Sequence, residues 1–130
     1  MPKKPVIAIV DDDPSVREAL MSLMRALGFV SEAYGCAEDF LRSARLQRIG
    51  CLIADVRMPG MTGLELYRHL VASGEPIPTV LITAHQDGEG RRHALNAGVI
   101  CYLTKPFNED DLLGCIHSAL GHRKKDGKGS

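Results

Sequence analysis

Asp11 and Asp12 follow a short apolar run, VIAIV, and Asp55 follows a second, CLIA. Thr83 closes a third, TVLIT, and Lys105 with Pro106 follows a fourth, VICYLT. Three carboxylates, a hydroxyl and an ammonium, each at the carboxyl end of an apolar run, could together hold a metal ion and a phosphoryl group. Each residue alone has a bland explanation. Aspartates ahead of a helix serve as caps, a Thr ends many strands, and a Lys before Pro is an ordinary surface residue. Convergence changes this. Carboxylates about 5 Å apart repel by roughly 3 kcal/mol per pair at an effective dielectric of about 20. A fold that gathers three of them needs cations, and Lys105 supplies only one positive charge. A divalent ion supplies the rest. Carboxylate oxygens with no His or Cys beside them suit Mg²⁺ or Mn²⁺, and the Lys and Thr then offer donors to phosphoryl oxygens.

Whether these residues meet depends on the elements that carry them. Pro5–Val10 is long enough for a strand buried on both faces. After it, an Asp cap and Pro14 at the first helical position announce a helix. Val16, Leu20, Leu23, Met24 and Leu27 form one helical stripe, which Gly28 ends. Phe29–Tyr34 reads as a second strand, Ala37–Leu46 as a helix and Cys51–Asp55 as a third strand. A loop with Pro59, Gly60 and Gly63 leads to a helix marked by Leu66, Tyr67, Leu70 and Val71. Pro78–Thr83 is a fourth strand, about Gly90–Asn96 a helix closed by Gly98, Val99–Thr104 a fifth strand and Glu109–Leu120 the last helix. Five β-α units without a hairpin signal predict a doubly wound α/β fold, a parallel sheet with helices on both faces. In such a sheet ligands bind beyond the carboxyl ends of the strands, where the five residues converge. The second strand ends in Tyr34-Gly35 and offers no such group, which suits a strand outside the crevice.

Composition sets the frame. A chain of 130 residues, 45% hydrophobic and 25% charged, is one domain with a real core. Sixteen Lys and Arg balance sixteen Asp and Glu, which argues against a nucleic-acid-coating protein. Residues 122–130 hold four basic side chains (Arg123, Lys124, Lys125, Lys128) and one acid (Asp126), so a net +3 there leaves −3 on residues 1–121. The expected organisation is therefore one domain over 1–121 and a flexible basic tail or linker over 122–130, able at best to make weak, salt-sensitive contacts with DNA. No apolar run approaches the ~18 residues of a membrane span, and the N-terminus does not resemble a signal peptide. Cys36, Cys51, Cys101 and Cys115 show no metal spacing and read as reduced core thiols of a cytoplasmic protein.

Four segments carry a resemblance: Val10-Asp11-Asp12-Asp13, Asp55-Val56-Arg57-Met58-Pro59-Gly60-Met61-Thr62-Gly63, Thr83-Ala84, and Tyr102-Leu103-Thr104-Lys105-Pro106-Phe107. In this order, each at a strand end, they resemble the receiver domains of two-component response regulators over about residues 5–120. Among these, the receivers of nitrogen-fixation-type transcription regulators are the most similar. The resemblance implies the flavodoxin-like, chemotaxis-regulator-like strand order 2-1-3-4-5. It implies that Asp55 is the nucleophile that accepts phosphate from a sensor histidine kinase or a histidine phosphotransfer protein. Mg²⁺ (or Mn²⁺) would be bound by Asp12, Asp55 and the backbone carbonyl of Arg57, with Asp11 acting through water. Thr83 and Lys105 would bind the phosphoryl oxygens, and Tyr102 matches the switch aromatic. Such a domain is a regulator, not an enzyme beyond self-phosphotransfer and slow autodephosphorylation. Its output face would be the fourth helix, fifth strand and fifth helix, variable before phosphorylation, with Tyr102 turning inward as Thr83 moves. That face would also serve a homodimer formed on phosphorylation.

Other readings are weaker. Gly88-x-Gly90 lacks the third glycine of a dinucleotide fingerprint, the five histidines lack metal spacing, and Ser73-Gly74 is not a nucleophile elbow. A Mg²⁺-dependent phosphohydrolase with an aspartyl nucleophile would need a cap over its substrate. A receiver-like module that no longer takes phosphate would lack an acid, the Thr or the Lys, and all are present. No effector domain follows residue 121, so a stand-alone receiver and a piece of a longer regulator are both consistent with the chain.

Overall fold

The structure, a computed structural model, describes residues 5–128, with side chains described through residue 122. In chain order the elements are β1 (Val6–Val10), α1 (Pro14–Ala26), β2 (Val30–Tyr34), α2 (Ala37–Ser43), a 3₁₀ turn (Leu46–Arg48), β3 (Ile49–Asp55), α3 (Gly63–Ala72), β4 (Thr79–Thr83), α4 (Gly88–Ala97), β5 (Cys101–Thr104) and α5 (Glu109–Lys128). The strands form one parallel sheet in the order β2-β1-β3-β4-β5. Every residue of β1 and β4 is buried, whereas β2 alternates and lies at an edge. That is the expected signature of central parallel strands covered on both faces.

Alternation along the strands divides the core in two. Ala8, Val10, Leu52, Ala54, Leu81 and Tyr102 face one way and pack with Phe40 of α2, Leu66 and Leu70 of α3, and Ala94 of α4. Ile7, Ile9, Ile53, Val80 and Ile82 face the other way, onto Leu20 and Met24 of α1 and Leu112, Ile116 and Ala119 of α5. Register then fixes the site. Val10 pairs with Ala54, Asp55 with Ile82 and Thr83 with Thr104, so the carboxyl ends of β1, β3, β4 and β5 reach one edge together.

The boundaries depart from the sequence reading in several places: β1, β2 and β4 start one residue later than read, and β5 starts at Cys101, two residues after the expected Val99. Helix α2 ends at Ser43 because Ala44 turns extended (ψ 143°), and Leu46 falls in the 3₁₀ turn instead. Strand β3 starts at Ile49, ahead of the expected Cys51, with Gly50 inside it. A weak strand former hid this start, but the glycine is there for space: a Cβ would lie 2.7 Å from both Leu120 Cδ2 and Pro5 Cβ. Helix α4 begins at Gly88 despite two glycines in its first turn, since Asp87 caps it by accepting from Gly90 N at 3.1 Å. Helix α5 continues to Lys128, past the expected end at Leu120, so the backbone has no break at residue 121. The expected mobility of the basic tail falls on side chains outside the described residues.

The tight approach at Gly50 predicts that Gly50→Ala destabilises the domain by about 1–3 kcal/mol. A urea midpoint that falls while the slope holds would confirm this, and an unchanged midpoint would refute it.

Candidate phosphoacceptor site

Asp11 stands one residue past Val10, where the β1 backbone is still tied to the edge strand by Asp11 N donating to Tyr34 O at 3.1 Å. Its side chain is 0% exposed. One carboxylate oxygen, Oδ1, accepts from Asp13 N at 2.9 Å, and the other, Oδ2, has no hydrogen-bond partner among the described residues. Lys105 Nζ lies 3.7 Å from Oδ2, close enough for an ion pair but too far for a hydrogen bond. Asp12 is exposed and Asp55 half-buried, and the three carboxylates offer oxygens all within 4.8 Å of one another. Asp55 Oδ1 accepts from Arg57 N at 3.2 Å. A buried acceptor oxygen without a donor, facing two further carboxylates, fits a hard divalent cation.

Electrostatics agree with the geometry. Burial pushes the Asp11 carboxyl above its ordinary range, opposed by the Asp13 amide; Asp55 and Asp12 raise it further while Lys105 lowers it. Asp55 is raised too, first by burial, with the Arg57 amide and Lys105 holding it down and Asp12 pushing it up. Both acids are thus ill at ease as anions, and added positive charge relieves both.

The remaining expected residues lie as follows. Thr83, buried at the end of β4, accepts from His85 N at 3.1 Å through Oγ1, and its carbonyl accepts from Lys105 N at 2.7 Å. The Lys105 side chain is 27% exposed, and the Lys105–Pro106 peptide bond is cis. Tyr102 is 5% exposed while Thr83 keeps its bond to His85, so in this conformation the ring already lies inward. The ring has room because residue 90 is glycine: a Cβ there would lie 3.2 Å from the Tyr102 hydroxyl. Arg91 Nη1 donates to Tyr102 O at 2.8 Å, tying α4 to β5.

Three contributors escaped the sequence reading. Arg17 Nη1 donates to Asp11 O at 2.7 Å and so braces the acidic turn from α1. A Cβ on Gly63 would collide with the Asp55 carbonyl and come within 2.8 Å of Leu81 Cδ2, so this glycine lets α3 start hard against the acceptor strand. Its spacing in the motif around Asp55 was the available signal. Thr62 then caps α3 in a reciprocal box with Glu65, at 3.1 and 2.8 Å. The third is the pairing of two cysteines: Cys101 and Cys115 are joined as a disulfide, which corrects the expectation of four reduced thiols. Only alternation in β5 and the inward stripe of α5, taken together, could have placed them face to face.

Comparison with known proteins decides the family. The response regulator receiver domain matches residues 7–117. The chain belongs to that family. It is 48% identical over 115 residues to response regulator protein TmoT of Ectopseudomonas mendocina, covering 88% of this chain and 52% of TmoT. To transcriptional regulatory protein FixJ of Bradyrhizobium diazoefficiens it is 35% identical over 120 residues, 92% of this chain and 58% of FixJ. The chain therefore spans about half the length of the curated relatives it matches. Among solved structures, response regulator StyR superposes with a TM-score of 0.90 at 44% identity, over 98% of this chain and 64% of StyR. FixJ-N superposes at 0.85 and 35% identity, covering 93% of this chain and 97% of its own. The chain is a receiver domain of a two-component response regulator, a regulatory phosphoacceptor domain. No helix among the described residues is long and apolar enough to cross a membrane.

Because folding raises both acids, the folded chain binds their protons more tightly than the unfolded one. Stability from this source is full below the ordinary value of 3.8 and is lost as pH rises through the folded values. In EDTA, the Tm advantage of Asp55→Ala over the unmodified protein should grow from about pH 4 to about pH 7. Mg²⁺ should shrink it. An advantage that is constant with pH, or that Mg²⁺ leaves untouched, would contradict the electrostatic account.

Proposed function

We propose that Asp55 is the phosphoacceptor and that it receives the phosphoryl group from a phosphohistidine on a sensor histidine kinase or histidine phosphotransfer protein. The observation that supports this is the orphaned, buried oxygen of Asp11 facing Asp12, Asp55 and Lys105 at the edge where β1, β3, β4 and β5 end. Asp55 projects from the end of β3 and, unlike Asp11, is half-buried, so a phosphorus atom can approach its carboxylate. One carboxylate oxygen attacks phosphorus, the P–N bond breaks, and the leaving imidazole nitrogen keeps the electron pair and takes a proton. Asp12, Asp55 and the carbonyl of Arg57 would hold Mg²⁺ or Mn²⁺, with Asp11 reaching it through water. The ion would offset the anionic charge that phosphate brings to an already acidic pocket. Lys105 and the Thr83 hydroxyl donate to phosphoryl oxygens. The aspartyl phosphate is an acyl phosphate and is lost slowly to water, so self-phosphotransfer and autodephosphorylation are the only chemistry.

The signal leaves through Thr83. Drawing its hydroxyl toward a phosphoryl oxygen on Asp55 pulls on the His85 amide it now accepts, just ahead of α4. Helix α4 is tied to β5 by the Arg91–Tyr102 bond, so the α4–β5–α5 face is the output surface and the face for a homodimer on phosphorylation. Tyr102 stays buried and its slot at Gly90 changes shape. The chain acts in the cytoplasm and does not itself bind DNA with sequence specificity; its basic residues 122–130 serve as a linker.

Two measurements test this reading. Acetyl phosphate with Mg²⁺ should add one phosphoryl group by intact mass, EDTA or Asp55→Asn should abolish it, and Lys105→Ala should slow it about 10- to 100-fold. Full labelling of Asp55→Asn overturns the assignment. Beryllofluoride should alter amide exchange across residues 85–104 as well as around Asp55; changes confined to Asp55 would remove the coupling.

A further inference from the structure

Cys101 opens β5 and Cys115 lies on the inward stripe of α5, with their Cα atoms 6.0 Å apart and their sulfurs bonded. This separation is the usual one for a disulfide between facing elements. Alternation in β5 sends Cys101 and Leu103 toward α5 and Tyr102 toward α4. The other two cysteines are elsewhere: Cys51 is fully buried in β3, and Cys36 caps α2, its sulfur accepting from Asp39 N at 3.5 Å. Among the described residues, this is therefore the one place where two thiols meet. Cys101 is half-buried and Cys115 is 8% exposed, so a reagent from solvent reaches Cys101 first.

We propose that Cys101 and Cys115 form a reversible thiol–disulfide site, a second covalent input to this receiver beside phosphate, whose oxidant is a low-molecular-weight disulfide of the glutathione type. The Cys101 thiol loses its proton and attacks one sulfur of the small disulfide, releasing one small thiol. The Cys115 thiol, deprotonated in turn, attacks the Cys101 sulfur of the mixed disulfide and releases the second. The S–S bond of the oxidant is broken and the Cys101–Cys115 bond is formed. The two protons leave on the released thiols, the cysteines are oxidised and the small disulfide is reduced. Excess small thiol reverses both steps.

The consequence follows from what the closed segment contains. Residues 101–115 include Tyr102, whose carbonyl is held by Arg91 of α4, and Lys105, whose ammonium faces Asp11. Oxidation ties β5 to α5 while Arg91 ties it to α4, so the strand is fixed to both flanking helices. The stapled face then resists the rearrangement that phosphate drives. This last step rests on reading α4–β5–α5 as the output face, whereas formation of the disulfide does not.

The test uses the full chain equilibrated in oxidised or reduced glutathione, quenched in acid and alkylated after denaturation. Two alkylated thiols are expected in the oxidised sample, with a linked Cys101–Cys115 peptide, and four in the reduced one. Four in both, or a linkage through Cys36 or Cys51, overturns the site. Closing a loop of this length should raise Tm by about 5–10 °C in the oxidised protein, with no redox shift in a Cys101→Ala, Cys115→Ala double variant. An equal redox shift in that variant also overturns it. Finally, the beryllofluoride-driven exchange changes over residues 85–104 should be several-fold smaller in the oxidised protein. Equal changes in both forms overturn the coupling alone, while no change in the reduced form overturns the output-face reading and leaves the disulfide to be judged by the thiol count.

Discussion

Asp11 carries a carboxylate with no exposed surface and an oxygen that nothing among the described residues hydrogen-bonds. Leaving such a group buried costs a domain more than a typical hydrogen bond returns, so the surrounding structure is arranged to tolerate it. Lys105 approaches to 3.7 Å, the Asp13 amide takes the other oxygen, and Arg17 grips the Asp11 carbonyl from the next helix. Two further acids crowd in rather than keep away. The site is therefore poised to gain from any hard cation, and then from any anion that the cation and Lys105 together attract.

The parallel sheet is what makes this crowding achievable. Its strands all point one way, so Asp11, Asp55, Thr83 and Lys105 arrive at one edge without a long loop reaching across the fold. Two largely apolar faces, each covered by helices, supply the burial that outweighs the repulsion there. Gly63 completes the arrangement by letting α3 begin directly behind Asp55. A longer or looser connection would leave the acceptor on a mobile loop, where its spacing from Asp11 and Asp12 would not hold.

The gathering of Asp11, Asp12, Asp55 and Lys105 was legible in the sequence because it depends on residue type at strand ends, and strand ends are marked by apolar runs stopping at charges. Fold class followed from the same runs, and strand order from the family resemblance. What was not legible depends on three-dimensional proximity. Gly50 reads as a strand breaker yet lies inside β3, because its reason is the approach of Leu120 and Pro5. Gly88 and Gly90, in the first turn of α4, are poor helix formers and hid its start. In space Asp87 caps that start, and Gly90 is the slot for the Tyr102 hydroxyl. Cys101 and Cys115 read as separate core thiols, because no spacing rule says that β5 and α5 put them opposite one another.

These features bear on one strand. β5 ends at the phosphoacceptor edge with Lys105, packs Tyr102 under α4 and joins α5 through Cys101, so it touches the input, the switch aromatic and the far face within five residues. Short, four-residue β5 has a single strand neighbour, β4, and its burial is the least complete of the strands that reach the site. A short edge strand paired on one side only is more easily shifted than the central strands when its ties to the flanking helices change. On the proposed reading, phosphate would act on one tie, through Thr83 and α4, and thiol oxidation on the other, through α5. Both inputs would then converge on the position of a single strand, and neither needs to deform β1 and β3, which are buried except for Asp55 at the end of β3.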